Sequence, residues 1–147
     1  MDRAVYRFLE ESVAGHMTRA VKTVTRDLTV RDLGAMFERD DFNTYPVLED
    51  GQVVGIVTKF DLLKCFAFKP SQMVPRYSEL MNRTVADIMI SDFIYVRSDT
   101  KLTRVLQLMV EHRLRSIPVI DSGHRLAGII AREDVVRALA ACASHEG

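Results

Sequence analysis

Gly55-Ile56-Val57-Thr58-Lys59-Phe60-Asp61-Leu62 returns 73 positions later as Gly128-Ile129-Ile130-Ala131-Arg132-Glu133-Asp134-Val135. In both stretches an apolar strand runs out at a small residue, and a carboxylate follows three positions on, where a helix begins. The correspondence continues upstream at an offset of 72, pairing Val13 with Val85, Met17 with Met89, Val24 with Val96, Asp27 with Asp99 and Pro46-Val47 with Pro118-Val119. A chain written twice in this way folds as two similar units. The offset changes in the second hairpin, where Asp121-Ser122-Gly123-His124-Arg125 is one residue longer than its counterpart. Hairpin tips absorb such insertions, whereas a slip inside a strand would turn its core face outward.

The elements follow from spacing. Residues 2–11 place Ala4, Val5, Phe8 and Leu9 on one helical face, and Ser12 caps a short turn ending near Met17. A short β-prone piece at 22–27 precedes a helix over 29–39, with Val30, Leu33, Met36 and Phe37 on its buried side. Tyr45–Leu48 and Val53–Val57 flank Asp50-Gly51, a strong hairpin signal. Both strands are apolar on both faces and need cover on each. A helix from Lys59 to Phe68 closes the first copy before Pro70. The second copy repeats this order from Thr84 and ends with a helix over Glu133–Cys142. The predicted organisation is an N-terminal helix (1–11), a first motif (12–68), a connector (69–83) rich in apolar residues with a short helix at Tyr77–Met81, a second motif (84–141) and a frayed end (142–147). Two halves of roughly 60 residues are each marginal alone, so an α+β fold is expected in which two β-α-β-β-α repeats pack through their sheets about a pseudo-twofold axis.

Composition narrows the chemistry. Twenty basic and twenty acidic residues leave no net charge, which argues against a nucleic-acid partner. No apolar run approaches bilayer length, and the N-terminus carries charges where a leader would place its apolar core. Cys65 and Cys142 stand in unlike contexts, which with the preceding points predicts a reducing, cytoplasmic setting. His16, His112, His124 and His145 show no metal-ligand spacing, and no nucleophile has an obvious oxyanion partner. Neither a metal site nor a catalytic residue is expected.

The Pro-Val strand, the Asp-Gly hairpin and Gly-apolar-apolar-Thr-x-x-Asp resemble the cystathionine-β-synthase (CBS) domain, and two copies in one chain resemble a Bateman module. The resemblance covers residues 12–140. It implies a non-catalytic regulatory module that requires no cofactor and binds AMP, ADP, ATP or S-adenosylmethionine between its two motifs. It implies one site in which Thr58 and Asp61 face Arg115, Ser116, Ile117 and the stretch around Met89 and Ile90. A mirror site would pair Asp134 with Thr44, Tyr45 and the stretch around Thr18 and Thr23. Ala131 departs from the motif, which wants a hydroxyl there. The family also implies a homodimer and an effector protein acting in trans; the apolar helix faces around Phe60, Leu63, Phe66, Val135 and Leu139 serve either as contact surfaces or as internal packing.

The chemistry suits such a ligand. An ionised carboxylate accepts both hydroxyls of a ribose, and a helix start presents free N–H groups to phosphate. Lys59, Arg115 and Arg132 could add charge. The same Thr-x-x-Asp spacing is also a capping box. Tyr45 is a candidate for purine stacking or for plain packing, and Arg115 for phosphate contact or for a solvated helix end. The competing function is a dimerisation scaffold with vestigial clefts. On the ligand-binding reading, Asp61→Ala abolishes nucleotide binding and leaves the ligand-free protein nearly unchanged.

Overall fold

The fold was obtained as a computed structural model that describes residues 3–71 and 73–144. Its elements run α1 (Arg3–Glu10), a 3-10 turn (Val13–Gly15), β1 (Val24–Thr25), α2 (Val30–Arg39), β2 (Thr44–Glu49), β3 (Gln52–Thr58), α3 (Lys59–Lys64), α4 (Tyr77–Met81), α5 (Val85–Ile88), α6 (Leu102–His112), β4 (Ser116–Ile120), β5 (Leu126–Ala131) and α7 (Arg132–Ser144).

They gather into two compact units that cut across the repeats. One takes the chain through Val21 together with everything from Ile94 onward, and the other is Lys22–Phe93. The segment opening each repeat therefore belongs to the unit built on the other repeat's sheet. Val13 sits in a core with Val105, Ile117, Val119 and Ile130. Its counterpart Val85 sits with Val24, Leu33, Val47 and Val57. Each such wholly buried side chain contributes about 1.5–3 kcal/mol over an exposed one.

In the Lys22–Phe93 unit, β1 pairs parallel with β2, and β2 antiparallel with β3. The hairpin turns at Asp50 (φ 52°) and Gly51 (φ 78°). Two consecutive left-handed residues match the right-handed twist of the strands, which is why Asp-Gly stands there. Helix α2 starts where Thr29 accepts from the Asp32 amide at 3.2 Å and buries Val30, Leu33 and Phe37. Helix α3 is shorter than its predicted reach to Phe68, because Cys65, Phe66 and Ala67 donate to carbonyls only three residues back and tighten into turns.

In the other unit β4 and β5 form a hairpin. The expected leading strand is reduced to one parallel bridge between Val96 and Val119, at the positions matching Val24 and Val47. The longer turn closes with Asp121 Oδ1 accepting from the Gly123 and Arg125 amides at 2.9 and 3.0 Å. Helix α6 buries Leu102, Val105, Leu108 and Met109 and ends at Arg113 in the left-handed region (φ 54°). Helix α7 continues to Ser144, past the predicted Cys142. The rest of the expected frayed end, 145–147, lies outside the described residues.

Of the helix faces predicted to be contact surfaces, Phe60 and Leu63 are 68% and 65% exposed and Leu139 is exposed too. Phe66 is half-buried. Val135 takes the internal alternative: it is buried in the same core as Ile130 and Ala138, because it sits one turn along α7 on the sheet side.

Candidate functional site

Asp61 and Asp134 are the charged residues buried as a whole among the described residues, each 2% exposed; the Asp40 side chain is itself only 6% exposed. They occupy matching places, where the second strand of each hairpin hands over to a helix.

Around Asp61 the strand end Thr58 donates from its amide and from its hydroxyl to Asp61 Oδ2, both at 2.8 Å. The Asp61 amide donates back to Thr58 Oγ1 at 3.1 Å. That closes a reciprocal capping box. The second oxygen, Oδ1, takes Lys64 Nζ at 3.2 Å. Thr44 lies directly across the hairpin from Thr58, and Lys59 donates its amide to the Asn43 carbonyl at 3.0 Å. Met89 and Ile90 cross over this strand end. Ile90 exchanges backbone bonds with Ile56 at 2.8 and 3.0 Å, and a Cβ at Gly55 would come within 2.9 Å of the Ile90 carbonyl oxygen. The motif glycine is there to let that crossing happen.

Around Asp134 the frame repeats. The Ala131 amide donates to Asp134 Oδ2 at 2.8 Å, and Arg137 pairs with Oδ1. Thr18 crosses over Gly128 and exchanges backbone bonds with Ile129, each at 2.8 Å. Its hydroxyl donates to Asp134 Oδ1 and Oδ2 at 3.3 and 3.4 Å. Ser116 lies across from Ala131 and Ile117 across from Ile130. The exposed Arg115 offers its carbonyl to the Arg132 amide at 3.0 Å.

The units group the expected site residues differently from the sequence reading. Thr58, Asp61, Met89 and Ile90 fall together, in company with Thr44, Tyr45 and a half-buried Thr23. Asp134 and Thr18 fall together with Arg115, Ser116 and Ile117. Of the two readings of Tyr45, purine stacking and plain packing, its surroundings are those of packing. Its ring is wholly buried, 4.8 Å from the Phe37 ring and 6.1 Å from that of Phe42. Its hydroxyl donates to the Met36 carbonyl at 3.1 Å and to Asp40 at 3.0 Å. Burial and the Asp40 charge raise the phenol's pKa to about 12. Lys22 and Arg39, bonded to the Asp40 carboxylate, lower its pKa to about 2. The wholly buried Ile117 offers a ligand only its backbone.

Sequence reasoning did not single out Lys64 and Arg137 as partners of the two acids, although an opposite charge three positions along a helix is a readable signal. Among the described residues no three His, Cys, Asp or Glu side chains gather as metal ligands, and no helix is long and apolar enough to cross a membrane. His145 lies outside the described residues.

Comparison with known proteins agrees with this geometry. The family model for the CBS domain matches twice, over residues 11–67 and 85–141. The Methanocaldococcus jannaschii protein MJ1225 is 30% identical over 131 residues, 86% of this chain and 46% of its own. Its crystal structure superposes with a TM-score of 0.81 at 26% identity, over 93% of this chain and 53% of that one. The CBS domain-containing protein YhcV of Bacillus subtilis is 26% identical, over 84% of this chain and 82% of its own. The CBS-pair protein CBSX2 of Arabidopsis thaliana, solved in complex with AMP, superposes with a TM-score of 0.74 at 29% identity, over 88% of this chain and 96% of that one. A fold of two such repeats, each with a buried acid at a strand-to-helix junction, defines a CBS-domain pair. The chain belongs to the CBS domain family. It spans less than half the length of the first curated relatives it matches, 46%, 21% and 43% of theirs.

Proposed function

We propose that this chain is a non-catalytic regulatory module that binds an adenosine nucleotide of the AMP class through Asp61 and Asp134 and signals to a partner protein in trans. The observation that carries the reading is the pair of acids, equivalent in position at the strand-to-helix junctions and each held 2% exposed. A buried carboxylate is costly unless paired, and sites that keep one are commonly functional. The AMP complex of CBSX2, at 29% identity, supports the ligand class. On binding, a ribose diol would take the place of Lys64 on Asp61 or of Arg137 on Asp134. Both are exposed chains that leave at little cost. The ligand would act by favouring one conformation of the module over others.

A second reading has its own observation. The completed capping box at Thr58–Asp61, on a helix that exposes Phe60 and Leu63, is what a dimerisation scaffold with unused clefts would need. Thermal denaturation with AMP, ADP, ATP and S-adenosylmethionine separates the two. At 100-fold excess over Kd a ligand adds about 2.7 kcal/mol and raises Tm by several degrees. A scaffold leaves Tm where it was for all four.

A further inference from the structure

We propose that the groove between α6 and α7 binds a single-chain carboxylate amphiphile of the fatty-acid class, its tail along the two helices and its head at Arg113 and Arg132. The proposal is independent of the function proposed above and involves neither Asp61 nor Asp134.

Helices α6 and α7 border a groove of about 360 Å³, within the range of small-ligand sites. Val110 and Val136 line it and are 75% and 63% exposed, so the described residues leave it open. Its two ends differ in chemistry. At one end Arg132 Nε donates to the Leu114 carbonyl at 2.8 Å, which brings it beside Arg113, the preceding residue. Both arginines line the groove, and so do Leu106 and Leu139, each about two turns further along its helix. Among the described residues no carboxylate pairs with either guanidinium. Two cations at one end of an apolar channel favour an anion there.

The backbone and the repeat both single out Arg113. It ends α6 at φ 54°, where glycine serves a helix end without the cost of a side chain. What arginine adds at that position is its guanidinium. At an offset of 72, Val110 and Arg113 match Glu38 and Asp41, both exposed. The counterpart surface in the other unit thus carries two acids where this groove has an apolar wall and a cation. An anion is attracted to one and repelled by the other. The arginine fork fits a carboxylate through two N–H groups, and an alkyl tail takes the exposed valines out of water. A bare anion leaves the apolar length unused, and a neutral chain leaves the arginines unused.

Octanoate is the probe, with octyl alcohol as its uncharged counterpart, followed by amide NMR spectra of the full chain. Octanoate should shift amides of α6 and α7 saturably, and octyl alcohol should bind there about tenfold or more weakly. Arg113→Gln should weaken octanoate about tenfold and leave octyl alcohol unchanged, which also shows that the variant is folded. Val136→Asp should weaken both. No shift in α6 and α7, equal affinity for the two probes, or unchanged octanoate affinity in Arg113→Gln overturns the proposal. A dimer in sedimentation that dissociates in Val136→Asp and blocks octanoate in the wild type assigns the groove to a second copy and overturns it too.

Discussion

Thr58 donates twice to one oxygen of Asp61, from its amide and from its hydroxyl, both at 2.8 Å. That leaves Oδ1 to Lys64 at 3.2 Å. Of the two roles its spacing allows, capping and ligand recognition, Asp61 fills the first as the cap of α3.

Asp61→Ala is therefore not silent in the ligand-free protein, contrary to the expectation from the motif. Loss of the cap should lower stability by about 0.5–2 kcal/mol, measurable by urea denaturation at constant m-value. Stability equal to wild type would mean the box does not hold the helix.

Spacing leaves the two roles open without choosing between them, because Thr-x-x-Asp also occurs at Thr29–Asp32 and Thr84–Asp87. At Thr84 the same box forms, with Asp87 Oδ2 accepting the Thr84 amide at 3.1 Å, yet Asp87 is exposed. Burial separates Asp61, 2% exposed, from it, and burial is a tertiary property that local spacing does not carry. The local features were legible for physical reasons. Asp50-Gly51 carries its turn chemistry in two residues, and Tyr77–Met81 is bounded as predicted. The exchange of Val13 and Val85 between units was not legible, because both repeats offer similar apolar faces and periodicity does not say which is chosen. Tyr45 was ambiguous for a related reason, since a strand apolar on both faces does not mark which side meets a ligand.

Gly128→Ala and Gly55→Ala test the crossings. A Cβ at Gly128 would meet the Thr18 carbonyl oxygen at 2.6 Å, and one at Gly55 the Ile90 oxygen at 2.9 Å. Both contacts are with backbone, so each substitution should destabilise by about 1–3 kcal/mol, Gly128→Ala more. Thermal denaturation showing either to be neutral would contradict the observed crossing.

The Tyr45–Asp40–Lys22 cluster sets pH limits. The carboxyl of Asp40 is lowered from 3.8 to about 2, so its stabilisation is full above pH 4 and is lost as pH falls toward 2. Asp40→Asn should flatten the wild-type decline in that window. The phenol of Tyr45 is raised from 10.0 to about 12, so its contribution is full below pH 10 and disappears as pH rises toward 12. Tyr45→Phe should remove that alkaline loss. Stability curves parallel to wild type for both variants would refute the assignment.

Arg113 ends α6 in a left-handed conformation (φ 54°) that glycine adopts freely. Arg113→Gly should raise stability by about 1 kcal/mol, read as a higher Tm. A lower Tm would mean that the guanidinium contributes more than its backbone costs.

Isothermal titration calorimetry with AMP measures the central claim most directly. The account predicts saturable binding by the wild type, loss of one site in Asp61→Asn, loss of the other in Asp134→Asn, and no heat from the double variant. Binding that survives intact in the double variant, or no binding by the wild type to AMP, ADP, ATP or S-adenosylmethionine, would contradict it.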